Sequence, residues 1–397
     1  MTIDDRLINE AKDIIFERTG IRPEQVMVSS THAHSCGSVI DVATCQADMN
    51  YRLIMPDKIV EAAEGALSDL KPAKIAWGSS NVPMHASCRR YFMKPGFSMV
   101  NPFGEKEKVW MNPPIGSAYI DRPVAPTDPE VGFLAVKSLE DEWISILANY
   151  STHYVGDIPR NTISADYFGE MDVKLKEKLG AGDGFISIMS NGTSGDVNTY
   201  DAELTRNYPT GYYEKTDLIA NEIADSIIAS LCNAEWSENP EFRVASANAT
   251  VDRRRPGEKM LAWCEETVRT TDYNLLVSTQ KASDDIAKSY ALDILRIESY
   301  FHERFSLLTQ AVRIGDGTIG TLPGEFFSET GLKLKAEAPF EHYFTITLAN
   351  AQVGYVPPAH EFELGGYETW LCSGSMAETD AEESISKILK GLIESLQ

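Results

Sequence analysis

The chain has 397 residues, of which 43% are hydrophobic and 24% charged, as is typical of a folded globular protein. Its net charge of −23 disfavours nucleic acid and anionic lipid surfaces as partners. The six cysteines form no C-x-x-C pair, and no apolar run has the length of a membrane span or a signal core. We therefore expect reduced thiols, no stable membrane association and, for the chain as written, a cytoplasmic location.

The first third alternates helical and strand-like patterns and ends in an irregular stretch. Apolar residues at helical spacing predict a first helix that stops at Gly20, and an apolar run predicts a strand at 25–28. A second helix is predicted around 60–70, followed by a strand at 74–77. Residues 79–129 are rich in Pro, Gly, Asn and Met, which is typical of a binding or lid region.

The alternation continues through the rest of the chain. Strands are predicted at 131–136, 143–150, 185–189, 318–322 and 343–348, and helices at 167–179, 219–231 and 385–396, with a polar helical region at 257–309. This order predicts an α/β layered sandwich with a mixed central β-sheet flanked by helices. No repeat or composition break divides the chain, so one domain over residues 1–397 is expected.

Candidate functional residues follow the predicted strands. His32 and His34 lie two residues apart after the strand at 25–28, so both rings are expected to face one cavity. His153, Glu325 and Tyr355 also follow predicted strands, where functional residues of α/β sheets gather. Taken singly, each has a structural interpretation as well: a buried hydrogen bond for His153, a helix charge for Glu325 and packing for Tyr355.

Eight segments resemble, in order, motifs of the catalytic domain of neutral/alkaline, non-lysosomal ceramidases, specifically a bacterial ceramidase-like branch. They are T-H-x-H-S, C-R-R-Y-x-M-K, R-P-x-x-P-x-D-P-E-V-G, the strand that leads to His153, I-S-A-D-Y-x-G, N-G-x-S-G-D-V-N, L-P-G-E and N-x-x-V-G-Y-V-P. The resemblance extends to the G-G-Y-E segment at 365–368 and so covers nearly the whole chain. It implies the fold of the ceramidase catalytic domain.

The resemblance implies a zinc ion held by four side chains, His32, His153, Glu325 and Tyr355. Two imidazoles, a carboxylate and a phenolate are a coherent ligand set for zinc and leave room for a water molecule. The zinc would lower the pKa of that water and polarise a bound carbonyl group.

The resemblance also implies roles for residues beside the metal. His34 would face the substrate as a hydrogen-bond donor or proton carrier, Arg89 would contact the substrate, and Tyr367 would stabilise the developing oxyanion. A structural ion pair is the alternative for Arg89. Asp166 is expected either to orient a ligand or to cap the following helix. Gly195 and Asp196 belong to the glycine-rich loop beside the substrate.

Three departures from the ceramidase pattern bear on function. Asn198 stands where the ceramidases place a nucleophilic serine after Gly-Asp-Val, and an amide cannot act as that nucleophile. The chain is also expected to lack the immunoglobulin-like C-terminal domain and the first N-terminal strands of the family. If an upstream signal segment is missing, the protein would instead be secreted or periplasmic.

The sequence predicts a zinc-dependent hydrolase in which metal-activated water cleaves an amide, or an ester, of a small polar substrate. We expect it not to be a true ceramidase. Two alternatives stay open: a degenerate relative that binds metal without catalysis, and a carbohydrate-active metalloenzyme on the same scaffold. The partners expected are a small-molecule substrate and no nucleic acid, with homo-oligomerisation left open.

Overall fold

The computed structural model describes residues 2–41, 46–199, 201–270, 286–300 and 302–397. Eight helices lie in these ranges: α1 (Asp5–Thr19), α2 (Met49–Ser68), α3 (Asp166–Leu179), α4 (Glu214–Leu231), α5 (Glu258–Arg269), α6 (Ile286–Tyr300), α7 (Ser328–Glu337) and α8 (Ala381–Glu394). No helix in the described part of the chain is long and apolar enough to cross a membrane.

The strands of the same ranges are β1 (Ala73–Asn81), β2 (Ser87–Cys88), β3 (Arg90–Met93), β4 (Val109–Met111), β5 (Ile120–Pro123), β6 (Glu130–Ser138), β7 (Trp143–Tyr150), β8 (Ile186–Asn191), β9 (Val197–Asn198), β10 (Phe242–Asp252), β11 (Arg304–Ile314), β12 (Gly317–Thr321), β13 (Glu325–Phe326), β14 (His342–Ile346) and β15 (Tyr355–Val356). They form two four-stranded sheets, ordered β1-β6-β7-β8 and β10-β11-β12-β14, and three smaller sheets. The pairs β7–β8 and β12–β14 are parallel, and the other pairs of the two large sheets are antiparallel. The predicted mixed α/β architecture is therefore confirmed.

The two large sheets pack face to face between outer layers of helices. Trp77 of the first sheet packs against Phe344 of the second. Helices α3 and α4 cover the other face of the first sheet, where Met171 and Ile223 are fully buried. Helix α8 covers the second sheet through Ile385 and its helically spaced apolar neighbours. The layers therefore run helix, sheet, sheet, helix, with two central sheets where the sequence predicted one.

The predicted strand at 25–28 is wrong. The chain instead forms a 3-10 turn at Pro23–Gln25, where the fixed φ of Pro23 suits the first position of the turn. Beyond the turn, Val28 bonds to a loop residue and not to a strand. Its N–H donates to Asn350 Oδ1 at 3.3 Å, and its carbonyl oxygen accepts from the Asn350 N–H at 2.7 Å.

Two other expectations require correction. The stretch 79–129 contains the short strands β2–β5, three of which form a small sheet. The polar helical region at 257–309 contains α5 and α6, but its end begins β11, which pairs with the unpredicted β10. Both strands are rich in polar residues or small side chains, which hide the alternation of a half-buried strand. Residues 271–285 and 301 of this predicted region lie outside the described residues.

Candidate metal centre

The candidate site lies where the parallel strands of both large sheets end. His153 follows β7 by three residues, Glu325 begins β13 after β12, and Tyr355 begins β15 after β14. Strands β13 and β15 pair in parallel, with Glu325 directly opposite Tyr355. Because the carboxyl ends of parallel strands meet at one edge of a sheet, residues distant in sequence come together there.

His32 reaches the same place from a loop. Its backbone φ of 66° lies in the left-handed region, which residues with a Cβ seldom adopt. The Ser30 N–H donates to the Leu348 carbonyl oxygen at 3.1 Å, which fixes the start of this loop. The sequence predicted that the two histidines follow a strand, and this is wrong. The Nε2 atoms of His32 and His34 nevertheless lie 3.2 Å apart.

Three ligand-type atoms converge at the centre of the site. The Nε2 atoms of His32 and His153 each lie 3.4 Å from Glu325 Oε2. That oxygen is buried and has no hydrogen-bond partner among the described residues. An ion bound tetrahedrally at about 2.0–2.1 Å would hold its ligand atoms about 3.3–3.4 Å apart. The donor set and its spacing therefore fit a zinc ion.

The charge states of these groups suit a divalent cation. Burial lowers the pKa of His153 to about 4, so the imidazole is neutral near pH 7, the form that binds metals. Burial opposes ionisation of Glu325, but the two imidazoles facing it hold the pKa of its carboxyl well below the usual range. Burial raises the pKa of Tyr355 well above its usual value although Arg89 opposes this, so a phenolate there requires a second cation in addition to Arg89.

His34 and Tyr367 lie beside this cluster. The His34 ring stacks on Tyr154 at 3.9 Å between ring centroids, with 16° between the planes. Burial and the adjacent His32 lower the pKa of His34 to about 2, so its ring is neutral. The Tyr367 ring lies 5.7 Å from the Tyr355 ring and therefore borders the predicted metal ligands. Tyr154 was not predicted, because no pattern in the sequence marks it.

Arg89 forms the structural ion pair that the sequence left open as an alternative, and it also borders the candidate metal ligands. Its Nε donates to Glu368 Oε1 at 2.6 Å, so it does form a structural ion pair. Its Nη1 lies 3.4 Å from His153 Nε2, and its guanidinium carbon lies 5.0 Å from the Tyr355 ring centroid. No pattern in the sequence marks Glu368 as a site residue, although it follows Tyr367 in the G-G-Y-E segment.

The glycine-rich loop after β8 supports the strand that carries Glu325. The Gly195 N–H donates to the Phe326 carbonyl oxygen at 2.8 Å, and a Cβ on Gly195 would lie 2.6 Å from the Glu325 carbonyl oxygen. Asp196 Oδ1 accepts from the Ser328 N–H at 2.7 Å and from its hydroxyl at 3.0 Å. The loop thus packs against β13 and caps the helix that follows it.

Asp166 and Asn198 contact backbone and neighbouring polar groups. Asp166 Oδ1 accepts from the Val155 N–H at 2.9 Å, and its Oδ2 accepts from the Gly156 N–H at 3.1 Å, so its carboxylate orders the segment after His153. Its Oδ1 also accepts from the N–H of the next residue at the start of α3. Asn198 pairs with Ser87 across β9 and β2, and its amide donates to Asn112 Oδ1 at 3.4 Å.

No protein-family model matches the sequence, and no curated protein matches it. Solved structures do match. The neutral ceramidase from Pseudomonas aeruginosa aligns with a TM-score of 0.69 and 14% identity, over 100% of this chain and 65% of that chain. A structure described as ceramidase complexed with C2 aligns with a TM-score of 0.68 and 14% identity, over 100% of this chain and 66% of that one. The chain therefore spans about two thirds of the length of these structures and has a neutral ceramidase-like fold.

Proposed function

We propose that the protein is a zinc-dependent hydrolase that cleaves an amide, or less readily an ester, of a small polar substrate. The observation that carries the proposal is the buried cluster of His32, His153 and Glu325, in which each imidazole Nε2 lies 3.4 Å from Glu325 Oε2, a distance that suits two ligands of one zinc ion. The fold neighbours are described as ceramidases, and ceramide is an amide. Their chemistry therefore agrees with amide hydrolysis.

His32, His153 and Glu325 would hold the ion, with Tyr355 as the fourth ligand. When bound, zinc polarises a carbonyl group and lowers the pKa of water toward neutrality. His34, whose pKa of about 2 is too low for it to accept a proton from water, would donate a hydrogen bond from its neutral ring to the reacting groups. Arg89 and Tyr367 donate hydrogen bonds to the oxygen on which negative charge develops. Hydrolysis of the C–N bond then yields a carboxylate and an amine.

Water, and not a side chain, is proposed as the nucleophile. Asn198 occupies the place of the ceramidase serine, and its amide nitrogen has no nucleophilic lone pair because that pair is delocalised into the carbonyl group. Thr193 and Ser194 are both buried in the same loop, where the Ser194 hydroxyl donates to Asn191 Oδ1 at 3.1 Å. An acyl-enzyme on this loop is therefore not part of the proposed mechanism.

A substrate panel tests the proposal. Zinc-loaded protein is assayed against short N-acyl amines, acyl sugars, carboxylic esters and a long-chain ceramide in detergent. We expect hydrolysis of a polar amide by wild-type protein and by His302→Ala, which removes an exposed histidine away from the cluster. His153→Ala should abolish that hydrolysis. Robust cleavage of ceramide, or a covalent adduct on the loop at 192–198, would contradict the proposal, and zinc binding without turnover would indicate a non-catalytic relative.

A further inference from the structure

Arg89 and Arg90 share one buried carboxylate. Arg89 Nε donates to Glu368 Oε1 at 2.6 Å, and Arg90 Nη1 donates to Glu368 Oε2 at 2.5 Å. Glu368 is fully buried, and the two arginine side chains are almost fully buried. Each oxygen of Glu368 therefore binds a different guanidinium group, which fixes the carboxylate between them.

Each guanidinium group has one buried nitrogen with no hydrogen-bond partner among the described residues, Nη2 in Arg89 and Nε in Arg90. Arg90 also donates from Nη2 to Glu361 Oε2 and to the Gly365 carbonyl oxygen, both at 2.8 Å. Arg89 Nη2 is buried and has no hydrogen-bond partner among the described residues. Its Nη1 lies 3.4 Å from His153 Nε2, and its guanidinium carbon lies 5.0 Å from the Tyr355 ring centroid, so the end of the guanidinium that carries Nη2 borders the candidate metal ligands.

The backbone around Glu368 is shaped for this arrangement. Gly366 has a φ of 98°, and a Cβ there would lie 2.6 Å from Arg90 Nη1. The Ser375 hydroxyl donates to the Glu368 carbonyl oxygen at 2.9 Å. Tyr367 belongs to the same 3-10 turn, so one short segment carries both the candidate oxyanion donor and the anchor of Arg89.

We propose that Glu368 is a positioning residue, which fixes Arg89 through Nε so that its unpartnered Nη2 is aimed at an acyl oxygen bound beside the metal ligands. The proposal rests on the proposed function. The ligand class that fits is a planar acyl group with an anionic or developing anionic oxygen, such as a carboxylate or hydroxamate. Glu361, equally buried in the same network, binds Arg90 and therefore provides a matched control.

Calorimetry of zinc-loaded protein with acetohydroxamate as the probe tests this role, with zinc content measured in the same samples. We expect Glu368→Gln to weaken probe binding about tenfold or more, because a charge-assisted hydrogen bond to Arg89 is lost. Glu361→Gln removes the same charge from the same network, but Glu361 binds Arg90 and not Arg89, so probe binding should stay within about twofold of wild type. All variants should retain zinc.

A double variant separates positioning from general loosening of the network. If Glu368 acts through Arg89, the variant Arg89→Lys/Glu368→Gln should bind the probe no more weakly than Arg89→Lys alone. Glu368→Asp provides a second test in case the glutamine variant does not fold. Its side chain keeps the charge but is one methylene shorter, so it should also weaken probe binding.

Equal weakening in Glu361→Gln, additive losses in the double variant, or wild-type binding in both Glu368 variants would overturn the positioning role while the zinc content stands. Absence of zinc from the wild-type protein would instead contradict the proposed function and, with it, this inference.

Discussion

The rings of His32 and His34 lie in contact but face different groups. His32 Nε2 lies 3.4 Å from the Glu325 carboxylate, whereas the His34 ring stacks on Tyr154 and approaches His32 at 3.2 Å. This difference supports the proposal that His32 binds the metal and His34 takes part in the reaction. If the roles were reversed, His34→Ala and not His32→Ala would lose the ion.

We expect His34→Ala to retain zinc and to lose about 10²–10³-fold in turnover, because it removes a hydrogen bond to the reacting groups. Metal analysis and the amide assay on the same sample measure both effects. His302→Ala is the control for replacing a histidine. If His34→Ala lost zinc to the same extent as His32→Ala, the assignment of the two histidines would be wrong.

Tyr367→Phe isolates the hydroxyl of the candidate oxyanion donor. The phenylalanine keeps the ring next to Tyr355, so zinc content should be unchanged. Turnover should fall about 10²–10³-fold, with little change in KM, because the hydrogen bond acts mainly in the transition state. A rise in KM at constant kcat would assign the hydroxyl to ground-state binding of substrate instead.

At the scale of secondary-structure elements, the loop after β8 connects the two sheets at the site. Gly195 packs against the strand that carries Glu325, and Asp196 caps helix α7, which follows that strand. The Asp196 carbonyl oxygen also accepts from the Arg89 N–H at 2.9 Å. This single loop therefore holds the backbones on which a candidate metal ligand and Arg89 are placed.

Asp196→Ala should lower the free energy of unfolding by about 1–3 kcal/mol, because two Ser328 donors lose their buried acceptor. Asp196→Asn should cost less, since its Oδ1 can still accept both bonds. Denaturant unfolding of both variants measures the effect, with Ser328→Ala as the control that removes only the hydroxyl. Equal stability of the alanine variant and wild type would contradict the capping role.

Helix α1 is fastened to the loop near the site by a buried lysine. Lys12 Nζ donates to Asn350 Oδ1 at 2.8 Å, and burial lowers the pKa of Lys12 from 10.5 to about 8. Between these values the unfolded chain binds more protons than the folded one, so stability should rise with pH. The penalty of the buried charge is fully present below pH 8 and disappears as the pH approaches 10.5.

The variant Lys12→Met tests this linkage. Wild-type protein should gain roughly 1–3 kcal/mol relative to the variant between pH 8 and pH 10.5. Denaturant unfolding of both proteins across this range gives the difference, in which the titration of other residues cancels. Parallel pH profiles would mean that the pKa of Lys12 is not lowered by folding.

For the molecule as a whole, the sequence predicts the long helices and strands with a clear periodic pattern. It does not predict which strands, distant in sequence, pair with one another. The helix pattern around Ile8 and the buried run of β6 correspond to observed elements. The division of the strands into two packed sheets could not be predicted, because periodicity does not report which strands pair. The strand β10 was missed because its small polar side chains conceal its partly buried face.

The candidate site shows the same division. The motifs that resemble those of the ceramidases predict four ligands, His32, His153, Glu325 and Tyr355. They could be predicted because each lies in a short motif and the motifs occur in the same order along the chain. Glu368 was not named, because its contacts with Arg89 and Arg90 join segments almost 280 residues apart. Contacts of this kind follow from the fold and leave no local signal in the sequence.

Metal analysis of purified protein determines whether His32, His153 and Glu325 form the proposed zinc site. Wild-type protein and His302→Ala should each carry about one zinc per chain after dialysis against metal-free buffer. His32→Ala and His153→Ala should carry almost none under the same conditions, while remaining folded by circular dichroism. Zinc-free wild-type protein that takes up no zinc when the ion is supplied, or undiminished zinc in both histidine variants, would show that these residues do not form a zinc site.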